Sequence, residues 1–292
     1  MKPPRFAYHS PQQLDQAVQL LEKYAGNARV LSGGQSLIPM LNFRLLAPDA
    51  LIDLRMVPEL ARIRIEGDKL CIGTMTRQRA AEASALVAQH LPLMTEALGW
   101  VGHLPTRSRG TVGGSIAHAD PSAELPMTLL ALDGAVIATG ANGRREIAAD
   151  DLFSSFFATT LSPTEILTEI RIPITPPGSG YAIEEYARRK GDFAIVGIAV
   201  ALRGDARACT SARMVVAGVG GRPLRLRTAE AMLIKDGLGA ENVAAAAAAA
   251  IEAVQPTSDP GASADYRRHL TGVLAERAIL RAAIMLKAPR NG

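Results

Sequence analysis

Leu31-Ser32-Gly33-Gly34-Gln35-Ser36-Leu37 and Arg109-Gly110-Thr111-Val112-Gly113-Gly114-Ser115 hold most of the functional information in this chain. Each sets adjacent glycines beside hydroxyl side chains, and the first follows an apolar, strand-like run. Adjacent glycines let backbone N–H groups converge with no Cβ in the way, and a hydroxyl adds another donor. That is the donor set a phosphate requires. A single Gly-Gly-x-Ser is more often a tight turn than a cradle. Two of them, far apart in the chain, point to a diphosphate held from two sides, and so to a dinucleotide. No Gly-Lys-Ser/Thr follows either stretch, which excludes a Walker motif. Neither matches Gly-x-Gly-x-x-Gly, so a Rossmann dinucleotide site is not expected.

The composition narrows the function classes. A chain of 292 residues has room for two or three subdomains. With 48% apolar and 21% charged residues it can bury a core. Cys71 and Cys209 are its two cysteines, too few for the four thiolates of an iron–sulfur cluster. The five histidines are scattered, so no metal site is predicted. The net charge is +4 without a basic stripe, and aromatics are only 4%, which argues against nucleic-acid binding. A basic surface suits an acidic partner or an anionic cofactor. No apolar run reaches the ~18 residues of a membrane span. The basic start, Met1-Lys2-Pro3-Pro4-Arg5, lacks the apolar stretch of a secretory signal, so a cytoplasmic location is expected.

Periodicity supplies the elements. Ser10-Pro11 opens a predicted helix with Leu14, Ala17, Val18, Leu21 and Tyr24 on one face and Gly26 as its C-cap. Residues 29–31 read as a strand entering the first glycine stretch, Ser36 begins a helical turn, and 51–54 read as a second buried strand. Residues 62–65 and 69–73 alternate with period two around Gly67, a hairpin. Thr74 caps a predicted helix through Ala80 and Ala83, and another covers 91–100. The second glycine stretch reads as a loop. A helix follows from Pro121 to near Leu132, then a hairpin around the 140–143 turn, then a strand at 166–172. Residues 175–180 form a linker. Beyond it come three predicted strands (181–188, 195–203, 214–219) and three helices (228–235, 241–254, 264–286). The alanine run 244–250 favours a closely packed helix.

Few side chains outside the glycine stretches stand out. His118 and Asp120 are spaced as a base and its orienting carboxylate, but a local turn-stabilising role is the favoured reading. Asp53, after a strand, reads as structural. Glu124 sits at the head of a helix, where the dipole favours a carboxylate; it is a cap, a ligand contact, or both. Arg188-Arg189-Lys190-Gly191-Asp192-Phe193 reads as a basic turn, and a ring in so polar a turn can stack on a flat ligand. No nucleophile–base pair is evident, so no catalytic residue is assigned.

Ser32-Gly33-Gly34-Gln35-Ser36-Leu37-Ile38-Pro39, Thr111-Val112-Gly113-Gly114-Ser115 and Gly191-Asp192-Phe193 together resemble the medium, FAD-binding subunit of molybdenum hydroxylases of the carbon monoxide dehydrogenase and xanthine dehydrogenase types. Leu51-Ile52-Asp53-Leu54, Ile72-Gly73-Thr74-Met75-Thr76 and His118-Ala119-Asp120-Pro121 support the match. The resemblance implies an α+β fold. A two-subdomain FAD-binding module, PCMH-type and vanillyl-alcohol-oxidase-like, would span 1–176, with subdomains of about 1–55 and 56–176. A C-terminal domain at 178–292 would combine a three-stranded antiparallel sheet with a three-helix bundle. The resemblance also implies noncovalent FAD. Its contacts would be Val30, Leu31, Ser32, Gly33, Gly34, Gln35, Ser36, Leu37, Val101, Thr111, Gly113, Gly114, Ser115, Ala117, Asp120, Glu124, Leu167, Lys190 and Phe193. By that likeness Glu124 contacts the flavin side, Leu167 lies on the strand passing the isoalloxazine, and Phe193 stacks near it.

Departures from the family pattern are Ser32 for Ala, Phe193 for Tyr or Trp, and Ser115 for Asn. Ser115 has one donor hydrogen, so a direct contact passes to water. By the same resemblance the molybdenum cofactor and [2Fe–2S] clusters reside on a large and a small partner subunit, in a dimer of heterotrimers. The flavin then relays electrons to an external acceptor. The alternatives are a self-contained flavin oxidase of the vanillyl-alcohol-oxidase type, a nucleotide-stabilised non-catalytic adaptor, and a flavin-free assembly protein. The oxidase needs a substrate-covering domain, which 178–292 hardly supplies.

Overall fold

A computed structural model describes residues 2–205 and 208–287; residues 288–292 of the predicted C-terminal domain lie outside the described residues. The chain opens with strands β1 (Ala7–His9), β2 (Ala28–Leu31) and β3 (Ala50–Asp53) and helices α1 (Leu14–Lys23) and α2 (Leu37–Asn42). The strands form a parallel sheet in the order β1-β3-β2. Ala17, Val18 and Leu21 of α1 bury the apolar stripe seen in the sequence against Ala28, Ala50 and Ile52. Ser10 does not cap α1. The helix begins at Leu14, and the Gln16 side chain, from within its first turn, accepts the Gln12 N–H at 3.1 Å. At its other end the chain turns left-handed first at Ala25 (φ 47°) and then at Gly26 (φ 83°), so Gly26 is not the first residue past the helix.

The next segment contains β4 (Ile63–Glu66), β5 (Lys69–Gly73), and six helices: α3 (Gln78–Glu82), α4 (Ala85–His90), α5 (Pro92–Trp100), α6 (Leu104–Arg109), α7 (Val112–His118) and α8 (Glu124–Ala131). It continues with β6 (Ala135–Gly140), β7 (Gly143–Ala148), α9 (Ala149–Leu152), β8 (Phe153–Ser155), β9 (Ala158–Thr159) and β10 (Ile166–Pro173). Five strands make an antiparallel sheet in the order β4-β5-β10-β6-β7. Two expectations fail here. Thr74 does not cap a helix: it leaves β5 buried, its carbonyl accepts the Gly113 N–H at 3.1 Å, and α3 starts only at Gln78. The second glycine stretch is not a loop but the first turn of α7, with Thr111 as N-cap. The short α4 and α6 were not predicted; Ser84, which accepts the Val87 N–H at 3.4 Å, is the cap that signals α4.

The last segment runs through β11 (Ser179–Tyr186), β12 (Val196–Gly204), β13 (Cys209–Ala217), β14 (Leu224–Arg225), α10 (Arg227–Asp236), α11 (Ala240–Glu252) and α12 (Ala264–Lys287). Its antiparallel sheet has four strands, not the three expected, because two-residue β14 adds to β13 opposite Val215 and Val216. Ser179 and Gly180, assigned to the linker, already belong to β11. Gly180 lets α12 approach, since a Cβ there would lie 2.0 Å from the Ala282 carbonyl oxygen. Period two divides the sheet. Ala182, Ile198, Val200, Met214 and Val216 pack on the three-helix bundle. Ile183, Ala199, Val215 and Ala217 pack instead with Met94 and Leu98 of α5 and Leu125 and Met127 of α8, in a core shared with the central segment.

Candidate functional site

β2 delivers the chain to Ser32 at its carboxyl end. The first glycine stretch then turns through Gly34, whose φ of +73° is left-handed, and enters α2 behind Ser36. Among the described residues the backbone N–H groups of Gly33, Gly34, Gln35 and Ser36 donate to no protein acceptor. The second stretch is the opposite case. Val112 N–H donates to the Thr76 carbonyl (2.9 Å), Gly113 to Thr74 (3.1 Å), Gly114 to the Thr111 hydroxyl (3.0 Å) and Ser115 to the Thr111 carbonyl (3.2 Å). The two stretches touch. Ser32 Oγ and Thr111 Oγ1 share a hydrogen bond of 2.6 Å.

This contact revises the reason for the glycines. A Cβ on Gly33 would stand 2.6 Å from the Arg109 carbonyl oxygen and 2.7 Å from Gly110 Cα, and one on Gly113 would stand 1.8 Å from Thr74 Oγ1. Gly33 and Gly113 let the chain approach itself at these points. What remains open to an anion is the row of free N–H groups after Ser32, beside the positive end of α7. The Ser115 hydroxyl, on a half-buried residue in the first turn of α7, has no protein partner among the described residues. This donor set fits a diphosphate.

A second group of residues lies beyond α7. Buried Val101 is held by Arg107, whose Nη1 donates to the Val101 and Gly102 carbonyls at 2.9 and 3.2 Å and whose Nε pairs with Glu82 at 3.0 Å. The 188–193 turn rests on this loop: Gly191 (φ 91°) sits so near the His103 ring that a Cβ would come within 2.3 Å of it. Lys190 is exposed and Phe193 is 65% exposed. After α7 the chain turns at Ala119 (φ 52°), and Asp120 Oδ1 accepts the Ser122 N–H at 2.9 Å, the local turn expected of it. Glu124 then opens α8 and is buried. Desolvation pushes Glu124 up to about 7, raises Asp120 and lowers His118. The helix dipole expected to favour an ionised Glu124 is therefore outweighed by burial. Sequence reasoning missed Glu185 on β11. Its Oε2 is buried without a partner, and burial, with Glu124 nearby, pushes it up to about 8.

Residues 4–175 match the model of the FAD binding domain in molybdopterin dehydrogenase, and residues 181–282 match the CO dehydrogenase flavoprotein C-terminal domain. This chain belongs to the family of FAD-binding medium subunits of molybdopterin dehydrogenases. It is 40% identical to the 6-hydroxypseudooxynicotine dehydrogenase complex subunit alpha of Paenarthrobacter nicotinovorans, with 97% of this chain and 96% of that one covered. It is 37% identical to the carbon monoxide dehydrogenase medium chain of Hydrogenophaga pseudoflava, over 96% and 97% of the two chains. A solved carbon monoxide dehydrogenase from that organism superposes with a TM-score of 0.96 at 38% identity, covering 98% of this chain and 99% of that one. The medium subunit is thus an oxidoreductase subunit, and its domain indicates FAD.

Within this medium-subunit fold the remaining predicted residues separate. Val30 and Leu31 end β2 beside the free N–H row, and Ala117 is exposed on α7. Leu167 is buried in the central core, and no described contact joins Lys190 or Phe193 to the glycine stretches. Asp53 is structural: it accepts from Tyr8 Oη at 2.7 Å, Arg55 N at 2.9 Å and Arg55 Nε at 2.8 Å. Both cysteines are buried, and burial raises both thiols. Glu66, Cys71 and Glu169 offer ligand atoms within 4.8 Å of one another. Arg64 and Arg171 already engage Glu169, at 2.5 and 2.7 Å, so the cluster is a charge network. No helix of the described residues is long and apolar enough to cross a membrane.

Proposed function

We propose that this chain is the noncovalent FAD-carrying electron-transfer subunit of a cytoplasmic, heterotrimeric molybdenum hydroxylase. A small subunit with [2Fe–2S] clusters would supply its electrons, and a large molybdopterin subunit would oxidise the substrate, in a dimer of heterotrimers. The supporting observation is the convergence of the two glycine stretches. They bring a row of unengaged N–H donors against the N-terminus of α7, a site for a diphosphate. FAD, when bound, supplies the redox chemistry, accepting electrons and passing them to an external acceptor. The chain's own work is to bind and orient. In this reading the N–H groups of residues 33–36 and the Ser115 hydroxyl hold the pyrophosphate, while Ser32, Thr111, Gly113 and Gly114 fix the two stretches against each other. Val30, Leu31, Leu37, Val101, Ala117, Asp120, Glu124, Leu167, Lys190 and Phe193 line the rest of the path. The division at 1–176, PCMH-type and vanillyl-alcohol-oxidase-like with subdomains meeting near residue 55, and 178–292 belongs to the same proposal. No acid or base is required for electron transfer.

Ser36→Asp tests the cradle. Ser36 is the N-cap of α2, makes no capping bond, and is half-exposed, so an aspartate is accepted there. Its charge opposes a diphosphate. The expected result is about hundredfold weaker FAD binding by fluorescence titration with an unchanged melting temperature. Undiminished FAD affinity in this variant would overturn the assignment. Mixing the isolated chain with an organic substrate separates the competing reading, because steady-state turnover would favour a self-contained oxidase.

A further inference from the structure

The seam between the central segment and the last sheet is not packed along its whole length. Period two on three neighbouring strands shows where the packing ends. Ile183 of β11, Ala199 of β12 and Val215 of β13 face the central core. Two residues further along the same face, Tyr181, Ala201 and Arg213 stand side by side, and Ser179, Arg203 and Ser211 form the next row. The face thus turns from apolar to polar. Beside these two rows lies a cavity of about 80 Å³. That is room for several waters or for a small ligand in their place. Its other wall comes from Leu93 at the start of α5, from Leu132 and Asp133 just past α8, and from residues 173–176. Those last residues lead from the first matched family domain toward the second.

Three polar groups of this lining are left over. Thr175 Oγ1 is buried and has no hydrogen-bond partner. The Tyr181 hydroxyl and the Arg203 guanidinium also have no protein partner among the described residues. A buried hydroxyl without a partner costs free energy until water or a ligand meets it. The charges are uneven as well. Asp133 is already met by Arg213, whose Nε lies 2.9 and 2.8 Å from its two oxygens, and by Arg225 at 3.5 Å. Two arginines against one aspartate in the lining leave one positive charge over, on exposed Arg203. The Ser179 hydroxyl is spent on the Pro176 carbonyl at 2.8 Å, which holds the joining stretch against β11. Leu93, Leu132, Pro173 and Ala201 make the lining apolar elsewhere, with the Tyr181 ring beside them. A small inorganic anion would leave that apolar surface wet. A plain hydrocarbon would leave Arg203 and Thr175 unmet.

We propose that this cavity is a second ligand site, which takes a small monocarboxylate with an apolar body. The carboxylate accepts from the Arg203 guanidinium and from the Thr175 or Tyr181 hydroxyl. The body lies against Leu93, Leu132 and Pro173. The site is separate from the glycine cradle. Helix α8 stands between, with Glu124 at its first residue and the cavity past its last, about 12 Å along the axis. The walls belong to the two matched domains, the usual place for a small-molecule cleft. An occupant therefore fastens the central segment to the last sheet and stabilises the folded chain by mass action.

Benzoate is the probe, titrated calorimetrically into the full-length chain with and without excess FAD. One saturable site is expected, with a dissociation constant of about 1 mM or below, and the same affinity in both conditions. Benzamide has the shape without the charge, and inorganic phosphate has the charge without the apolar body. Each is expected to bind about tenfold more weakly. Arg203→Gln is expected to weaken benzoate about tenfold or more. Thr175→Val keeps the shape and removes the unmet hydroxyl. It is expected to weaken benzoate while leaving the melting temperature of the ligand-free chain unchanged or higher. Ala201→Leu, placed between Tyr181 and Arg213, fills the cavity with every charge in place and is expected to abolish binding. Absence of saturable binding overturns the proposal, as does equal affinity for benzamide or phosphate. Binding undiminished by Arg203→Gln or by Ala201→Leu overturns it too, and so does a Thr175→Val chain that melts lower, since its hydroxyl would then be satisfied already. Benzoate binding that vanishes when FAD is added places the probe in the cradle and refutes a second site. A chain that takes benzoate as expected and rejects FAD refutes the flavin reading and leaves this site standing.

Discussion

The glycines of the two stretches serve different purposes, and the difference is visible atom by atom. Gly34 supplies a left-handed turn, Gly33 lets one backbone lie on another, and Gly113 admits Thr74 into the first turn of α7. Gly113→Ala is expected to destabilise the chain by about 3 kcal/mol or more, because its Cβ would overlap Thr74 at the oxygen, Cβ and Cα together, at 1.8, 2.6 and 2.7 Å. Rotating the Thr74 hydroxyl away would leave its Cβ and Cα in place. Urea unfolding measures the change, and a loss below 1 kcal/mol, roughly what an unstrained helical site would show, refutes it. Ser32 carries a related lesson. Its hydroxyl looked like a donor for a ligand, but it is spent on Thr111 and on Met75 Sδ at 3.0 Å. The composition of the stretch pointed to an anion site. Which atoms stay free was not legible, since that depends on what the second stretch brings against the first.

At the scale of elements, the long periodic segments were readable and the short ones were not. The helices α10, α11 and α12 and strands β4, β5, β6 and β10 fall where the sequence leads one to expect them, the strands β4 and β5 from their period of two and α11 from the helix propensity of its alanine run. β14 is too short to show a period, and α7 was hidden because adjacent glycines signal a turn while its helical state is imposed by Thr111 and by carbonyls of residues 74 and 76. Glu185 was equally hidden, because a Glu-Glu doublet in a strand says nothing of what covers each face. The joints between elements also depend on single side chains. Arg267, buried on α12, donates to the Ile195 carbonyl at 2.6 Å and the Gly218 carbonyl at 2.8 Å, and pairs with Asp259 at 2.7 Å. It thereby ties α12 to the start of β12 and the end of β13. Arg267→Met keeps most of the volume but leaves two carbonyls in a dry seam. The expected cost is about 3 kcal/mol in denaturant unfolding. A neutral outcome means that water reaches those carbonyls.

For the whole molecule, the buried and paired carboxyls set opposite limits on pH. Glu124 and Glu185 are raised to about 7 and about 8, and Asp120 is raised as well, by burial. Their folded values exceed the unfolded ones, 4.5 for Glu and 3.8 for Asp. The native state therefore holds more protons than the unfolded state across this range. Their contribution is complete below the unfolded value and is lost as pH rises through 7 to 8. Glu82, Glu165 and Glu169 are lowered through their arginine partners despite the opposing effect of burial, so their contribution is present above 4.5 and lost as pH falls through their depressed values. His118, lowered by burial, adds to the acid limb as it charges on unfolding below 6.5. The melting temperature is thus expected to peak at about pH 5–6 and to fall toward both pH 4 and pH 8.5. The alkaline loss is on the order of 3 kcal/mol, set by the raised carboxyls of Glu124 and Glu185. The double variant Glu124→Gln/Glu185→Gln is expected to flatten that limb while the acid limb stays, because the arginine-paired glutamates are untouched. Melts of both proteins at intervals from pH 4 to pH 9 decide the matter. An alkaline limb that survives the double substitution would assign it to groups elsewhere in the fold.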